Sequence, residues 1–99
     1  MLNINKKVNA SELTVALTGR LDTTTAPDLE KELKSSLDGI KALIINMEGL
    51  EYISSAGLRV LLSAQKIMNK QGKMVVKNVS EEVKEIFEVT GFSDILTIE

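Results

Sequence analysis

Four apolar residues in unbroken succession, Ala42-Leu43-Ile44-Ile45, set the strongest limit on how this chain folds. A short run with this β-branched content marks a central strand covered on both faces. The segments on either side repeat their apolar residues at helical spacing instead. Between Ala26 and Leu37, Leu29, Leu33 and Leu37 recur every fourth residue with Ala26 three before them, while Glu30, Lys31, Glu32 and Lys34 face outward. Pro27 suits the first turn of that helix, with Thr25 or a neighbour as its N-cap, and Asp38-Gly39 ends it. After the strand, Leu58, Leu61, Leu62 and Met68 predict a second helix over about Ser55 to Asn69.

The flanks extend the alternation. Leu2 and Ile4, then Leu13, Val15 and Leu17, alternate with polar or small residues on either side of Asn9 to Glu12, which reads as an opening β-hairpin. Lys73 to Lys77 is a second buried-type strand. Ser80, followed by Glu81 and Glu82, opens a third helix carrying Val83, Ile86 and Phe87, with Gly91 in the usual C′ place. Ile95 to Ile98 is expected as a last strand. The order ββαβαβαβ predicts one α/β domain over residues 1–99, a mixed sheet parallel in its later strands with helices packed against it.

What the chain lacks narrows its chemistry further. It has no cysteine and no histidine, which removes thiolate catalysis, Cys-ligated zinc, the commonest metal ligand and the commonest general base. No metal and no cofactor are expected, and a Ser-His-Asp triad cannot be built. Ser63-Ala64-Gln65-Lys66 matches S-x-x-K, but its companion motifs S-D-N and K-T-G are absent, so the expectation is that the protein is not an enzyme. Twelve Lys and Arg against 14 Asp and Glu, scattered along the chain, provide no basic footprint for nucleic acid. Met1 to Val8 has no apolar run of signal-peptide length, so a cytoplasmic location without membrane association is expected. Tyr52 reads as buried, Met47, Met68 and Met74 as core filler, Arg59 and Lys66 as outward-facing, and Glu81, Glu82, Lys84 and Glu85 as a solvated face.

The informative stretch runs from Ile44 to Leu62, where the strand leads through Glu48 to Tyr52 into Ser54-Ser55-Ala56-Gly57 at a helix start. A serine there caps the helix with its oxygen or stands exposed beside unpaired backbone N–H groups. Gly57 lowers helix propensity but allows close backbone approach. Capping and packing alone would explain these residues in isolation.

Taken with its flanks, the stretch resembles the signature of the STAS domain, especially of the bacterial anti-sigma factor antagonists. Leu17-Thr18-Gly19-Arg20-Leu21-Asp22 is similar to that family's Leu-x-Gly-x-Leu-Asp segment, Gly72 to Val76 to its later strand, and Phe87 with Thr90-Gly91-Phe92 to its closing helix. Ser55 stands in the place of the phosphorylated serine. The sequence departs from the pattern at Ser54 and Asn46, where Asp is usual, at Ala56, where Ser or Thr is frequent, and at Arg59, where Gly is frequent. The resemblance implies an antagonist whose unphosphorylated form binds an anti-sigma factor with serine-kinase activity and releases a sigma factor. Phosphorylation of Ser55 would switch binding off, and a PP2C-type phosphatase would restore it. It also implies a partner-facing surface of Asp22, Thr23, Thr24, Ser54, Ala56, Gly57, Leu58 and Arg59, with the Asp22 to Thr24 loop beside Ser55. The family also includes non-switched scaffolds and subunits of signalling or lipid-transport complexes, which is the alternative reading.

Overall fold

The computed structural model describes residues 2–99. The opening hairpin is present as β1 (Leu2–Asn9) and β2 (Glu12–Leu21), followed by α1 (Ala26–Ser36), β3 (Ala42–Ile53), α2 (Ser55–Gln71), β4 (Lys73–Lys77) and α3 (Glu81–Thr90). The strands form one sheet in the order β1-β2-β3-β4. β1 runs antiparallel to β2, whereas β2 with β3 and β3 with β4 are parallel, so the sheet is mixed and parallel in its later strands.

One side of this sheet carries the core. Leu13, Val15 and Leu17 of β2, Leu43, Ile45 and Met47 of β3, and Met74 and Val76 of β4 join Leu29 and Leu33 of α1, Leu58, Leu61 and Met68 of α2, and Val83 and Phe87 of α3 in a single apolar cluster. Burying a side chain of this size contributes about 1.5–3 kcal/mol, so the cluster supplies the main driving force for folding. The three methionines read as core filler are buried in it.

Three expectations need correction. The run Ala42 to Ile45 is not covered on both faces: Leu43 and Ile45 are fully buried, but Ala42 and Ile44 point the other way and stay partly exposed beside Thr14 and Ala16. Four apolar residues in a row cannot show which faces are covered, and here the second face is made of small and β-branched side chains with no helix over them among the described residues. β3 is also much longer than expected, because Glu48 to Tyr52 continues the strand. It carries two register shifts against β2, between Ala16 and Thr18 and between Gly19 and Arg20, where β3 holds an additional residue. Such bulges break the alternation that identifies a strand in sequence. The last strand shrinks to a single parallel bridge between Val76 and Ile98. A 3-10 turn at Phe92–Asp94 turns the Ile95 and Leu96 N–H groups back to the Phe92 carbonyl, so only Thr97 to Glu99 reach β4.

Phe87 is fully buried whereas Val89, two residues on, is 81% exposed. Replacing Phe87 with Ala should therefore lower stability by about 3–5 kcal/mol in urea unfolding, while Val89→Ala should change it by no more than about 0.5 kcal/mol.

Candidate functional site at the carboxyl ends of two parallel strands

Leu21, the last residue of β2, pairs with Ile53, the last residue of β3, and the Ser54 N–H donates to the Leu21 carbonyl at 2.8 Å. Both strands therefore release their loops at the same place, at the carboxyl ends of parallel strands where open α/β sheets commonly present their sites. The chain after β2 forms the Asp22 to Thr25 turn. The chain after β3 enters α2 at once.

Ser54 is the N-cap of α2, in extended conformation and half-buried, and its Oγ accepts the Gly57 N–H at 3.4 Å. Serine and aspartate are both favoured at an N-cap, which explains how Ser can stand here in place of Asp without loss of the helix start. Ser55 is the first helical residue, and its side chain is exposed. Gly57 is a matter of space: a Cβ there would lie 2.7 Å from Leu21 Cγ and 2.9 Å from Ile53 Cγ1. Leu21 and Ile53 are themselves buried at 0% and 2% exposure, so neither can move aside cheaply.

The turn after β2 is organised by one carboxylate. Asp22 Oδ1 accepts the Thr24 hydroxyl at 2.7 Å and the backbone N–H groups of Thr24 and Thr25 at 3.0 and 3.1 Å. The Thr24 hydroxyl foremost, with those N–H groups and against some desolvation, holds the Asp22 carboxyl below its ordinary value. Thr25 is buried; its Oγ accepts the Asp22 N–H at 2.8 Å and donates to the Arg20 carbonyl at 2.9 Å. Thr25 occupies the N-cap position of α1 without a side-chain cap bond, and the first helical N–H, that of Ala26, donates to the Asp22 carbonyl at 2.8 Å.

Thr23, Ala26, Pro27, Glu30, Ala56, Arg59 and Val60 line an open groove of about 180 Å³ between the turn, α1 and α2. Thr23 of the turn and Ala56 and Arg59 of the helix start thus share one open groove; Thr24 and Ser55, next to them in the chain, are exposed, and Ser54 and Ala56 are half-buried. Two residues expected on that surface lie beneath it. Gly57 and Leu58 are buried, because the i, i+3, i+4 positions of α2 that meet the sheet are fixed by Leu58 and Leu61. They shape the surface without being part of it.

Tyr52 was expected to be buried and is 37% exposed, with the Arg20 guanidinium 4.4 Å from its ring centre. The bulge between Gly19 and Arg20 places these two opposite each other near the ends of β2 and β3. The pair adds an exposed aromatic and a cation beside the helix start. A lone Tyr in a bulged strand gave no signal of its orientation. Asn46, the other departure from the usual Asp, accepts the Glu48 N–H and the Asn78 side-chain amide, and so holds the first bulge and the end of β4 together. Ser63 of the S-x-x-K match is half-buried beside Leu33 and Leu37 in the seam between α1 and α2, and Lys66 is exposed. Among the described residues no group of three His, Cys, Asp or Glu side chains gathers for a metal, and no helix is long and apolar enough to cross a membrane.

Residues 3–99 match the STAS domain family, and the chain belongs to that family. Among its relatives are a putative anti-sigma factor antagonist of Bordetella bronchiseptica, BtrV, 38% identical over 88 residues that cover 87% of this chain and 76% of the relative. The anti-sigma-B factor antagonist of Bacillus subtilis is 31% identical over 98 residues, covering 98% of this chain and 90% of that protein. The crystal structure of an anti-sigma factor antagonist from Mycobacterium paratuberculosis superposes with a TM-score of 0.89 at 21% identity, over 99% of this chain and 85% of the other, and shows the same fold.

Two measurements check the construction of the site. Gly57→Ala gains about 1 kcal/mol of helix propensity but forces a methyl group into Leu21 and Ile53, costing about 1–3 kcal/mol. The variant should melt below the wild type. Asp22→Asn should also melt lower at neutral pH. Because the folded-state pKa of Asp22 lies below its ordinary 3.8, the stabilisation is complete above that value and is lost as pH falls through the folded-state pKa. The gap in melting temperature between wild type and Asp22→Asn should accordingly close under acid conditions.

Proposed function

We propose that this chain is an anti-sigma factor antagonist switched by phosphorylation of Ser55. In the unphosphorylated state it binds an anti-sigma factor with serine-kinase activity in the cytoplasm and frees a sigma factor to direct transcription. The kinase then transfers the γ-phosphoryl group of ATP to the Ser55 hydroxyl. The Oγ–P bond forms, the bond to ADP breaks, and the hydroxyl proton leaves to a base supplied by the kinase. A PP2C-type phosphatase hydrolyses the ester and returns the binding form.

The observation that carries this reading is the exposed Ser55 as the first residue of α2, next to Ala56, which shares an open groove with Thr23 of the turn after β2. The names of the relatives support the general role. The physical logic is direct: a phosphate adds about −1.5 to −2 charge and a shell of bound water in the middle of a docking surface, and a packed partner must displace that water and tolerate that charge. Thr23, Thr24, Ser54, Ala56 and Arg59 contribute the surrounding contacts, Asp22, Gly57 and Leu58 hold them from below, and the Tyr52–Arg20 pair offers an aromatic anchor at the margin.

Candidate serine-kinase anti-sigma factors of the same organism, incubated with the protein and ATP, provide the test, read by intact mass and site mapping. One phosphate on Ser55, absent from Ser55→Ala, is expected, and Ser55→Glu should bind the same kinase at least about tenfold more weakly than wild type. A stable complex with another partner, together with no modification by any kinase, would replace the switch with the scaffold reading.

A further inference from the structure

Ser55 and Arg59 are four residues apart on α2, so they are neighbours on one exposed helical face. Side chains of a helix lean toward its N-terminus, and a long one covers the turn before its own Cα. From its position Arg59 is therefore within reach of Ser55. Among the described residues Arg59 makes no ion pair, although Glu30 of α1 borders the same groove, and α2 itself contains no acidic residue. Among the described residues its guanidinium, with five donors, is thus free of any ion pair one helical turn from an exposed hydroxyl.

The geometry points to an ion pair inside the chain that forms only on modification: the phosphate on Ser55 is held by Arg59. This rests on the reading of Ser55 as the phosphorylated residue. An anion followed four residues later by a cation is the favourable order on a helix, and a guanidinium meets a phosphate with two parallel N–H donors. The pairing gives the switch a second arm. Phosphorylation adds charge at Ser55 and also withdraws Arg59 from the groove lined by Thr23 and Ala56, so the partner loses a cationic contact at the same moment.

Phosphoserine placed at position 55 by stop-codon suppression tests the pair without any kinase, with the phosphate titrated by phosphorus NMR. The charged groups around position 55 are Arg59 on the same helix, Arg20 over Tyr52 near the end of β2, Glu30 on α1 and Asp22 in the turn. Both carboxylates would raise the second pKa of the phosphate, ordinarily about 6, whereas the two arginines and the N–H groups of the helix start lower it, so the share of Arg59 is the difference between wild type and Arg59→Ala. The value in the wild-type background should lie roughly 0.3 unit or more below that in Arg59→Ala at low salt, with Arg59→Lys between them. In about 1 M salt the difference should collapse. Equal values in wild type and Arg59→Ala at low salt would overturn the pair. The same phosphorylated proteins, assayed against the kinase that binds the unmodified chain, separate the two readings. Weak binding by both with equal pKa values removes the ion pair and leaves the switch, whereas full binding by the phosphorylated wild type contradicts the switch whatever the titration shows.

Discussion

The contact on which the site depends is the close packing of Leu21, Ile53 and Gly57. Leu21 and Ile53 end two adjacent parallel strands, and only a residue without a Cβ lets the first turn of α2 approach them so closely. That approach fixes where Ser54 caps the helix and where Ser55 emerges into solvent. It also sets the turn after β2 directly beside the helix start, since Asp22 and Ser54 each follow a member of the same residue pair. The surface is thus an outcome of core packing, and its most exposed residues are positioned by some of the most buried ones.

A site built this way is rigid before any partner arrives. Asp22 spends its carboxylate on Thr24 and Thr25 of its own turn, Thr25 ties the turn to the end of β2, and Ser54 spends its hydroxyl on the helix cap. Ser55 and Arg59 are left with their polar groups uncommitted among the described residues. The division of labour matters for a charge switch. A preformed surface loses little entropy on docking, so a single added phosphate acts on the full binding free energy and not on a loop that can rearrange around it.

The sequence disclosed the layer architecture because its strongest signals are local. Leu29 and Leu33 on α1 with Leu37 at its C-cap, and the hairpin alternation of Leu13, Val15 and Leu17, each appear buried as read. Ser80 as N-cap and Gly91 with φ +82 at the end of α3 also follow directly from capping chemistry. What was not legible depended on long-range geometry. The second face of β3 stays uncovered because no helix packs there, which Ala42 to Ile45 alone cannot reveal. The bulges that extend β3 and turn Tyr52 toward Arg20 arise from pairing with β2. The burial of Gly57 and Leu58 follows from how closely α2 meets the sheet, so a motif that marks the site by sequence includes residues that serve it only from below.

The central claim is that the partner reads the surface formed by the Asp22 to Thr24 turn and the first turn of α2. Amide chemical shifts of the labelled protein, followed as its anti-sigma kinase is added, test this most directly. Perturbations centred on Thr23, Thr24, Ser54, Ser55, Ala56 and Arg59 are expected. Perturbations confined to α3 or to the open face of the sheet around Thr14 and Ile44, with the start of α2 unchanged, would contradict it.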